Sequence, residues 1–541
     1  MSPTKTLGKP ETGTVIKRVG IASATVDAGG SIYKGVRIAR SVDWTDLWVG
    51  DLVDLEWVGD QAYIVAILNF NQASSILPEL ETEIIIDAID DYLEEDADDD
   101  EEEEEEDDVT SGRQYATFVV AANDSTDDGK DLADYVCSGS NDHVTINTAL
   151  SQATTSGYMR VLLLEGTYDC AGTIDQMLSN TTLEGQGAAT VLASGTSYMI
   201  KVMSVSNIQI KNLKIDCSGT SYIPIWLDTV TTGLIRNLTC VGGTASGDFF
   251  VYGNDCNGIT ITHCRVYSGG QGIAFDDSFN VVTSNNILVG INKTGGSGVS
   301  LDITVGGVVS GNVIKDFCNG THVGGLAAAM TNITLRANAV IGDEYGMGTP
   351  SWAPGNTVYV GNTITTTDTY GVGLLIGSDG SAVVGNVVYD NGDYGMHLEN
   401  YMDGSAVVGN IVNSSGYRGI RVEGDTTASQ LVVGNICALS AREGIYITSG
   451  NNGVKMNMCI ANSQETDNAY SNIAMTASSN DSVQFNMCRD GGGAKQPKYG
   501  IDLLASSVVA CLLANNDLRD SGKTADIHDS GTGTIQRDND V

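Results

Sequence analysis

At 541 residues the chain is too long for one ordinary hydrophobic core, so more than one structural unit is expected. Its 68 acidic residues against 28 basic give a net charge of −40. Such a surface repels nucleic acid, whose binding relies on basic side chains that neutralise phosphate, and it equally disfavours anionic membranes. No run of about 18 apolar residues that would span a bilayer occurs, and the start, Met1-Ser-Pro-Thr-Lys-Thr6, lacks the apolar centre of a secretory signal. A chain soluble as made is expected, with no nucleic-acid partner and no membrane insertion.

Residues 1–78 carry short alternating runs, Thr14–Ile21, Tyr33–Ala39, Asp51–Val58 and Ala62–Leu68, separated by Gly-Gly and Gly-Asp turns. They predict a small antiparallel β-barrel or sandwich, with Val58-Gly-Asp-Gln61 as a hairpin turn. The pattern Val49-Gly-Asp-Leu-Val-Asp-Leu-Glu-Trp57, followed by Ile64-Val-Ala-Ile-Leu68, resembles the OB-like barrels of phage tail and baseplate proteins. No Lys or Arg occurs between Arg40 and Arg113, so docking to protein is expected of this domain rather than nucleic-acid binding.

Residues 79–112 follow, with 20 carboxylates between 79 and 108. Like charges at this density cannot bury enough apolar surface to offset ordering, so the segment is expected as a disordered, self-repelling linker. Its first part, Leu80–Leu93, has apolar residues at helical intervals and is expected as a short helix. Solubility is the plain explanation of the acidic run, and divalent-cation binding is the alternative.

Residues 113–180 read as a cap. Tyr115–Ala122 is a strand; Ile146, Ala149, Leu150 and Ala153 lie at i, i+3, i+4 and i+7 and predict a helix, with Asn141 or Asp142 placed to cap it. Residues 181–525 are repetitive. Val-Val-Gly-Asn recurs at 383–386, 407–410 and 432–435, with Tyr359-Val-Gly-Asn362 one step earlier, so the asparagines are 24, 24 and 25 residues apart. A second signal, Tyr370-Gly-Val, Tyr394-Gly-Met, Arg418-Gly-Ile and Glu443-Gly-Ile, keeps the same interval. Asn212, Asn237, Asn286, Asn312 and Asn338 extend the series upstream, with His263 in the phase of a missing asparagine.

Three short strands with turns consume about 24 residues, so each repeat is one coil of a parallel β-helix. About 14 coils are expected, a rod of about 65 Å at ~4.8 Å per strand. Stacked asparagine amides suit the turns. A leucine-rich frame is absent, and 6% aromatic residues argue against a propeller. Eleven cysteines without a CxxC pair point to reduced thiols; Cys437, Cys459 and Cys488 each follow an Asn by two and are expected to stack inside. Residues 526–541 read as a tail.

The order strand, helix, Val161-Leu-Leu-Leu-Glu-Gly-Thr-Tyr168, Asn180-Thr-Thr-Leu-Glu-Gly-Gln-Gly187 and Asn-centred coils resembles the pectate-lyase-like right-handed parallel β-helix superfamily over about residues 115–520. With an N-terminal adaptor it is most similar to bacteriophage tailspikes and tail fibres. That resemblance implies a homotrimer in the virion tail, held to tail or baseplate proteins through the N-terminal domain. It also implies binding of host cell-surface polysaccharide and, in many members, its cleavage. The rival readings are an extracellular polysaccharide lyase or hydrolase and a non-catalytic surface filament.

Glycan cleavage by hydrolysis uses paired carboxylates. Counting four residues beyond the Gly of the second signal nominates Asp276, Asp302, Glu399 and Glu423, with Asp228 and Asp277 on the same shelf. Asp276, Asp302 and Asp277 are the catalytic candidates. Arg265, Tyr267, Trp352, Glu399 and Glu423 are the substrate-binding ones. A Ca2+ ion shared by the acids is the alternative to general-acid chemistry, and a merely solvated acidic face is the bland reading. Asp276-Asp277 and Gly320-Thr-His-Val-Gly324 resemble motifs of polygalacturonase-type hydrolases, whose Arg-x-Lys is missing here. His263 and His322 read as turn residues, no Ser-His-Asp order is apparent, and the loop 342–356 departs from the repeat composition.

Overall fold

The computed structural model describes strands within residues 11–67 and, from residue 116 to 541, everything except short connections at 153–158, 195–197, 218–222, 243–247, 269, 291–295, 325–331, 350–354, 367–370, 400–403 and 425–428. The chain divides into two compact units, Met1–Thr110 and Ser111–Val541. In the first, strands β1 (Glu11–Val19), β2 (Ser23–Ala28), β3 (Ser31–Ile38), β4 (Leu52–Val58) and β5 (Gln61–Ile67) pair in the order β1-β2-β3-β5-β4, with β4 returning to β1. Val58 pairs with Gln61 in the antiparallel pair of β4 and β5, and the expected turn residues Gly59 and Asp60 lie outside the described residues. The acidic segment and its expected helix lie outside the described residues.

The second unit is an all-β parallel solenoid of about 13 turns, opened by two short helices, α1 (Asp127–Leu132) and α2 (Asp142–Ser151). Helix α2 buries Ile146, Ala149 and Leu150 in the core at the start of the coils. Neither expected cap acts as one. Asn141 has a left-handed backbone and makes no side-chain cap bond. Asp142 instead turns inward, accepting from Gly139 N (3.0 Å) and Asp169 N (2.9 Å), which ties the helix to the neighbouring strand. Tyr168 of the Leu-Glu-Gly-Thr-Tyr segment is fully buried and its hydroxyl donates to Val120 O at 2.8 Å.

Each coil contributes one strand to each of three sheets. In the best-formed coils the strands are Ala382–Val384 in sheet I, Val387–Tyr389 in sheet II and Met396–Leu398 in sheet III. Every position of Val-Val-Gly-Asn then has a physical role. Val383 points into the core and Val384 outward; Gly385 takes φ 62°, a left-handed corner; Asn386 points inward at the bend. The inward amide is matched by a ladder. Asn386 N and Nδ2 both donate to Asn410 Oδ1 (2.8 and 2.9 Å), and Asn386 Nδ2 also donates to Tyr359 O (3.0 Å). The same pattern runs through Asn286, Asn312, Asn338, Asn362, Asn386, Asn410, Asn435, Asn457, Asn486 and Asn516, and Asn539 closes it.

Three details of the expected phase change. Asn212 and Asn237 sit one residue earlier, at the left-handed corner shared with His263, and stack on each other outside the ladder. Cys264 occupies the inward position of that coil, and its N–H donates to Asn286 Oδ1 at 2.9 Å. The glycine that aligns with Gly395 is Gly373 rather than Gly371. Glycine is required at the start of the sheet III strand because a Cβ on Gly395 would lie 2.3 Å from Val412 Cγ1. The expected tail is also solenoid: Ala525–Asp529 joins sheet III and Ile535–Arg537 sheet I.

Cys437, Cys459 and Cys488 lie in register in sheet II and are fully buried. Ten of the eleven cysteines are buried free thiols, and Cys318 is half-buried with its Sγ 3.5 Å from Glu344 Oε2. Burial pushes the Cys137 thiol up to about 12 and the Cys264 thiol likewise, which leaves little thiolate at pH 8. In the native protein Cys318 is therefore expected to take iodoacetamide first, with the other ten reacting only after denaturation; peptide mass mapping checks this.

Candidate functional site

Sheet III carries the unusual chemistry. Its strands keep a strict register, so outward side chains form columns that run along the solenoid. One column reads Lys201, Trp226, Tyr252, Ala274, Ser300 and His322. Two residues further along each strand lie Met203, Asp228, Asn254, Asp276, Asp302 and Gly324. Asp276 and Asp302 are thus direct partners on adjacent strands, about 4.8 Å apart in backbone spacing.

The acids are held by local contacts. Ser300 Oγ donates to Asp302 Oδ2 at 3.0 Å, and His322 Nε2 lies 3.6 Å from Asp302 Oδ1. Asp277, exposed and left-handed at φ 47°, donates its N–H to Asp276 Oδ1 at 3.1 Å. Burial lifts the Asp276 carboxyl above its usual range, and the Asp277 charge adds to the shift. Burial also lifts Asp302, and the Asp276 charge adds to it, while His322 and the Ser300 hydroxyl oppose. The Tyr252 hydroxyl is raised by burial first and then by the charges of Asp276, Asp302, Asp277 and Asp228, so it faces the same carboxylates.

Next to the acids stands an aromatic platform. Tyr198 and Trp226 pack edge-on with centroids 4.5 Å apart, Trp226 and Tyr252 at 6.0 Å, and Phe249 and Tyr252 at 5.3 Å. Lys201 Nζ lies over the Trp226 ring at 5.3 Å. The buried Trp226 Nε1 has no hydrogen-bond partner among the described residues. Between Tyr252 and His322 the column narrows to Ala274 and Ser300, both small and each 5% exposed.

Glu399 and Glu423 occupy a second stretch of sheet III. His397 Nε2 meets Glu423 Oε2 at 3.0 Å, Arg421 pairs with Glu423, and Glu399 acts electrostatically on His397. Burial, followed by the Arg421 charge, pushes His397 down to about 4, so it is neutral at pH 7. Tyr394, Tyr417, Arg418 and Arg442 surround this group, with the Arg442 guanidinium 4.0 Å from the Tyr417 centroid and Arg418 Nε 2.7 Å from Glu443 Oε2.

Arg265 and Tyr267 are not brought to the acids: both belong to the strand Arg265–Ser268 of sheet II, before the corner that leads into the Asp276 strand. Tyr345 lies within the strand Ala339–Thr349, where it pairs with Val372 of sheet III, and Trp352 lies outside the described residues. His263 is a turn residue as expected, with φ 56°. His322 is not; it sits in the strand Val313–Gly324 beside Asp302. Gly320, in phase with Gly298, is the signal that locates His322 on sheet III. Among the described residues no three His, Cys, Asp or Glu side chains converge as metal ligands.

Residues 180–392 match the family model described as periplasmic copper-binding protein (NosD). The donor set does not make a copper centre, because the cysteines are mostly core residues and the five histidines stand apart, His143 on helix α2, His263 at a turn and His322, His397 and His528 on separate strands. No curated protein matches the sequence. Solved structures with similarity include a tailspike protein mutant of E. coli bacteriophage HK620 in complex with a pentasaccharide, at 11% identity and TM-score 0.50, covering 73% of this chain and 76% of that one. Tailspike protein 3 of bacteriophage CBA120 matches at 14% identity and TM-score 0.40, covering 73% and 58%. The A-module of mannuronan C-5 epimerase AlgE6 from Azotobacter vinelandii matches at 17% and 0.34, covering 74% and 96%. The likeness is one of fold, that of the right-handed parallel β-helix.

Proposed function

We propose that the protein binds a host cell-surface polysaccharide along the outer face of sheet III and cleaves it at Asp276 and Asp302, as a virion-associated tailspike. The observation that carries this reading is the uninterrupted run from Tyr198, Trp226 and Tyr252 onto the Asp276–Asp302 pair and His322. Aromatic faces stack on sugar rings, and two close carboxylates of raised proton affinity supply an acid and a nucleophile or base. The HK620 tailspike, solved with a pentasaccharide on a fold of this kind, supports carbohydrate as the ligand class. Trp226→Ala is expected to weaken polysaccharide binding about tenfold, ~1.4 kcal/mol, with an unchanged circular dichroism spectrum. Titration of the wild type and variant with host surface polysaccharide by calorimetry measures it, and equal affinity would remove sheet III as the binding face.

In this reading the strands of residues 11–67 form the OB-like adaptor that docks to tail or baseplate proteins. Copies of the chain associate through sheets I and II to form the homotrimer. From residue 357 to 489 the strands of these two sheets contain no Asp or Glu. Their outward positions include Val360, Val384, Val408 and Val433 in sheet I, a column that continues to Lys455 and Gln484, and Val387, Ile411, Ile436, Met458 and Met487 in sheet II, with Met456 (59% exposed) and Phe485 (55%) at the corners. On a chain of net charge −40, a face without carboxylates is where identical copies approach with least repulsion. Light scattering is expected to give the mass of three chains rather than 56.7 kDa, and Val384→Lys with Val408→Lys to shift it toward the monomer. A wild-type monomer at micromolar concentration ends the trimer proposal.

A further inference from the structure

The last strands of sheet III hold a group of side chains that the carbohydrate face leaves unused. Asp502, in Tyr499–Leu503, and His528, in Ala525–Asp529, are register partners. Ser530 follows His528 by two residues, which puts both side chains on the same side of the strand. Asp502 is 4% exposed; one oxygen accepts from Ser471 Oγ at 3.1 Å and the other meets His528 Nδ1 at 2.7 Å. The imidazole lies flat on Tyr499, with centroids 4.7 Å apart and planes 13° from parallel. Its Nε2 lies 3.4 Å from the Oγ of exposed Ser530.

With the Nδ1 proton directed at the carboxylate, Nε2 is an acceptor and the Ser530 hydroxyl donates to it. That is a nucleophile, a base and a buried group that orients the base, in the correct order of polarity. Ser530 N donates to Leu503 O at 3.0 Å, which sets Ser530 beside Leu504, whose side chain is 43% exposed and offers an apolar contact for a small acyl group.

We infer that Asp502, His528 and Ser530 form a second catalytic centre that hydrolyses small O-acyl esters, with acetyl esters on sugar hydroxyls as the natural class. The sugar part rests on the carbohydrate reading of sheet III, whereas the ester chemistry does not. Ser530 Oγ adds to the ester carbonyl carbon as its proton passes to His528 Nε2. The bond from that carbon to the sugar oxygen then breaks, and His528 returns the proton to the departing oxygen. Water, giving its proton to the same nitrogen, adds to the acyl-serine; the acid is released and Ser530 recovers its proton. Asp502 keeps its contact with His528 Nδ1 throughout, which orients the ring and faces the imidazolium charge.

The test uses the full chain with p-nitrophenyl acetate and, separately, an O-acetylated polysaccharide with acetate release as readout. Ser530→Ala and His528→Gln are expected to lower p-nitrophenolate release at least ~100-fold with unchanged circular dichroism. Phenylmethanesulfonyl fluoride should add its mass to the peptide that carries Ser530. Because Asp502 is buried, the surface variant Ser530→Ala decides the outcome independently of folding. Turnover equal in wild type and Ser530→Ala, or an adduct on another residue, overturns the proposal. Turnover of p-nitrophenyl acetate without acetate release overturns the sugar-ester assignment alone, and leaves glycan binding to be judged by the Trp226→Ala titration.

Discussion

Asp276→Asn and Asp302→Asn are each expected to lower depolymerisation of the host polysaccharide by at least ~100-fold, while the solenoid stays folded. The two residues are register partners, and both carboxyls are raised above the ordinary carboxylate range, first by burial. A carboxyl whose folded value lies above its unfolded one holds a proton in the folded state that the unfolded chain has released. The two groups therefore favour the fold at low pH, and that contribution is lost as pH rises through the raised values. At pH 7 the Asn variants carry no such charge penalty, so their melting temperatures should equal or exceed that of wild type. Loss of activity without loss of stability separates a catalytic pair from a structural one. Product sizing by chromatography, with melting curves at pH 4 and pH 7, provides the measurement. If both variants cleave at the wild-type rate, the acids are a solvated face and the protein is an adhesin.

Asn410→Ala is expected to cost about 3 kcal/mol or more of stability. Removing this side chain takes the acceptor from Asn386 N and Nδ2, and the donor from Val383 O and Asn435 Oδ1, all at an inward corner with no exposure. Buried polar groups left unpaired lose their full solvation. Neighbouring coils depend on each other in a solenoid, so the loss weakens the rungs on both sides. Asn413→Ala, on an outward position of the same coil, should stay within about 0.5 kcal/mol. Urea unfolding of the three proteins compares them, and similar midpoints for Asn410→Ala and Asn413→Ala would mean the ladder adds nothing beyond its backbone.

Much of the candidate site was legible because the repeat is a ruler. Four residues beyond an in-phase glycine always reach the outward end of the same sheet III strand, so Asp276 and Asp302 could be placed together from spacing alone. Glu399 and Glu423 follow from the same count. Arg265 and Tyr267 were misplaced because proximity in sequence crosses a corner, and the corner carries a side chain to another face of the solenoid. His322 was read as a turn residue because its flanking glycines look like turn chemistry, whereas Gly320 is a packing glycine whose Cβ would lie 2.0 Å from Val340 Cγ1.

The sequence by itself determined the solenoid, its period, the stacking of the asparagines and the stacked cysteines. Each of these depends on residue type and interval within one coil, and a periodic chain repeats the same local solution at every rung. Only the tertiary structure decided which residues from different strands meet. The pairing of His322 with Asp302, the inward turn of Asp142 and the approach of Asp502, His528 and Ser530 depend on coils whose lengths vary with their connections. Those lengths set which side chains become neighbours across the 4.8 Å step, and no local propensity encodes that choice.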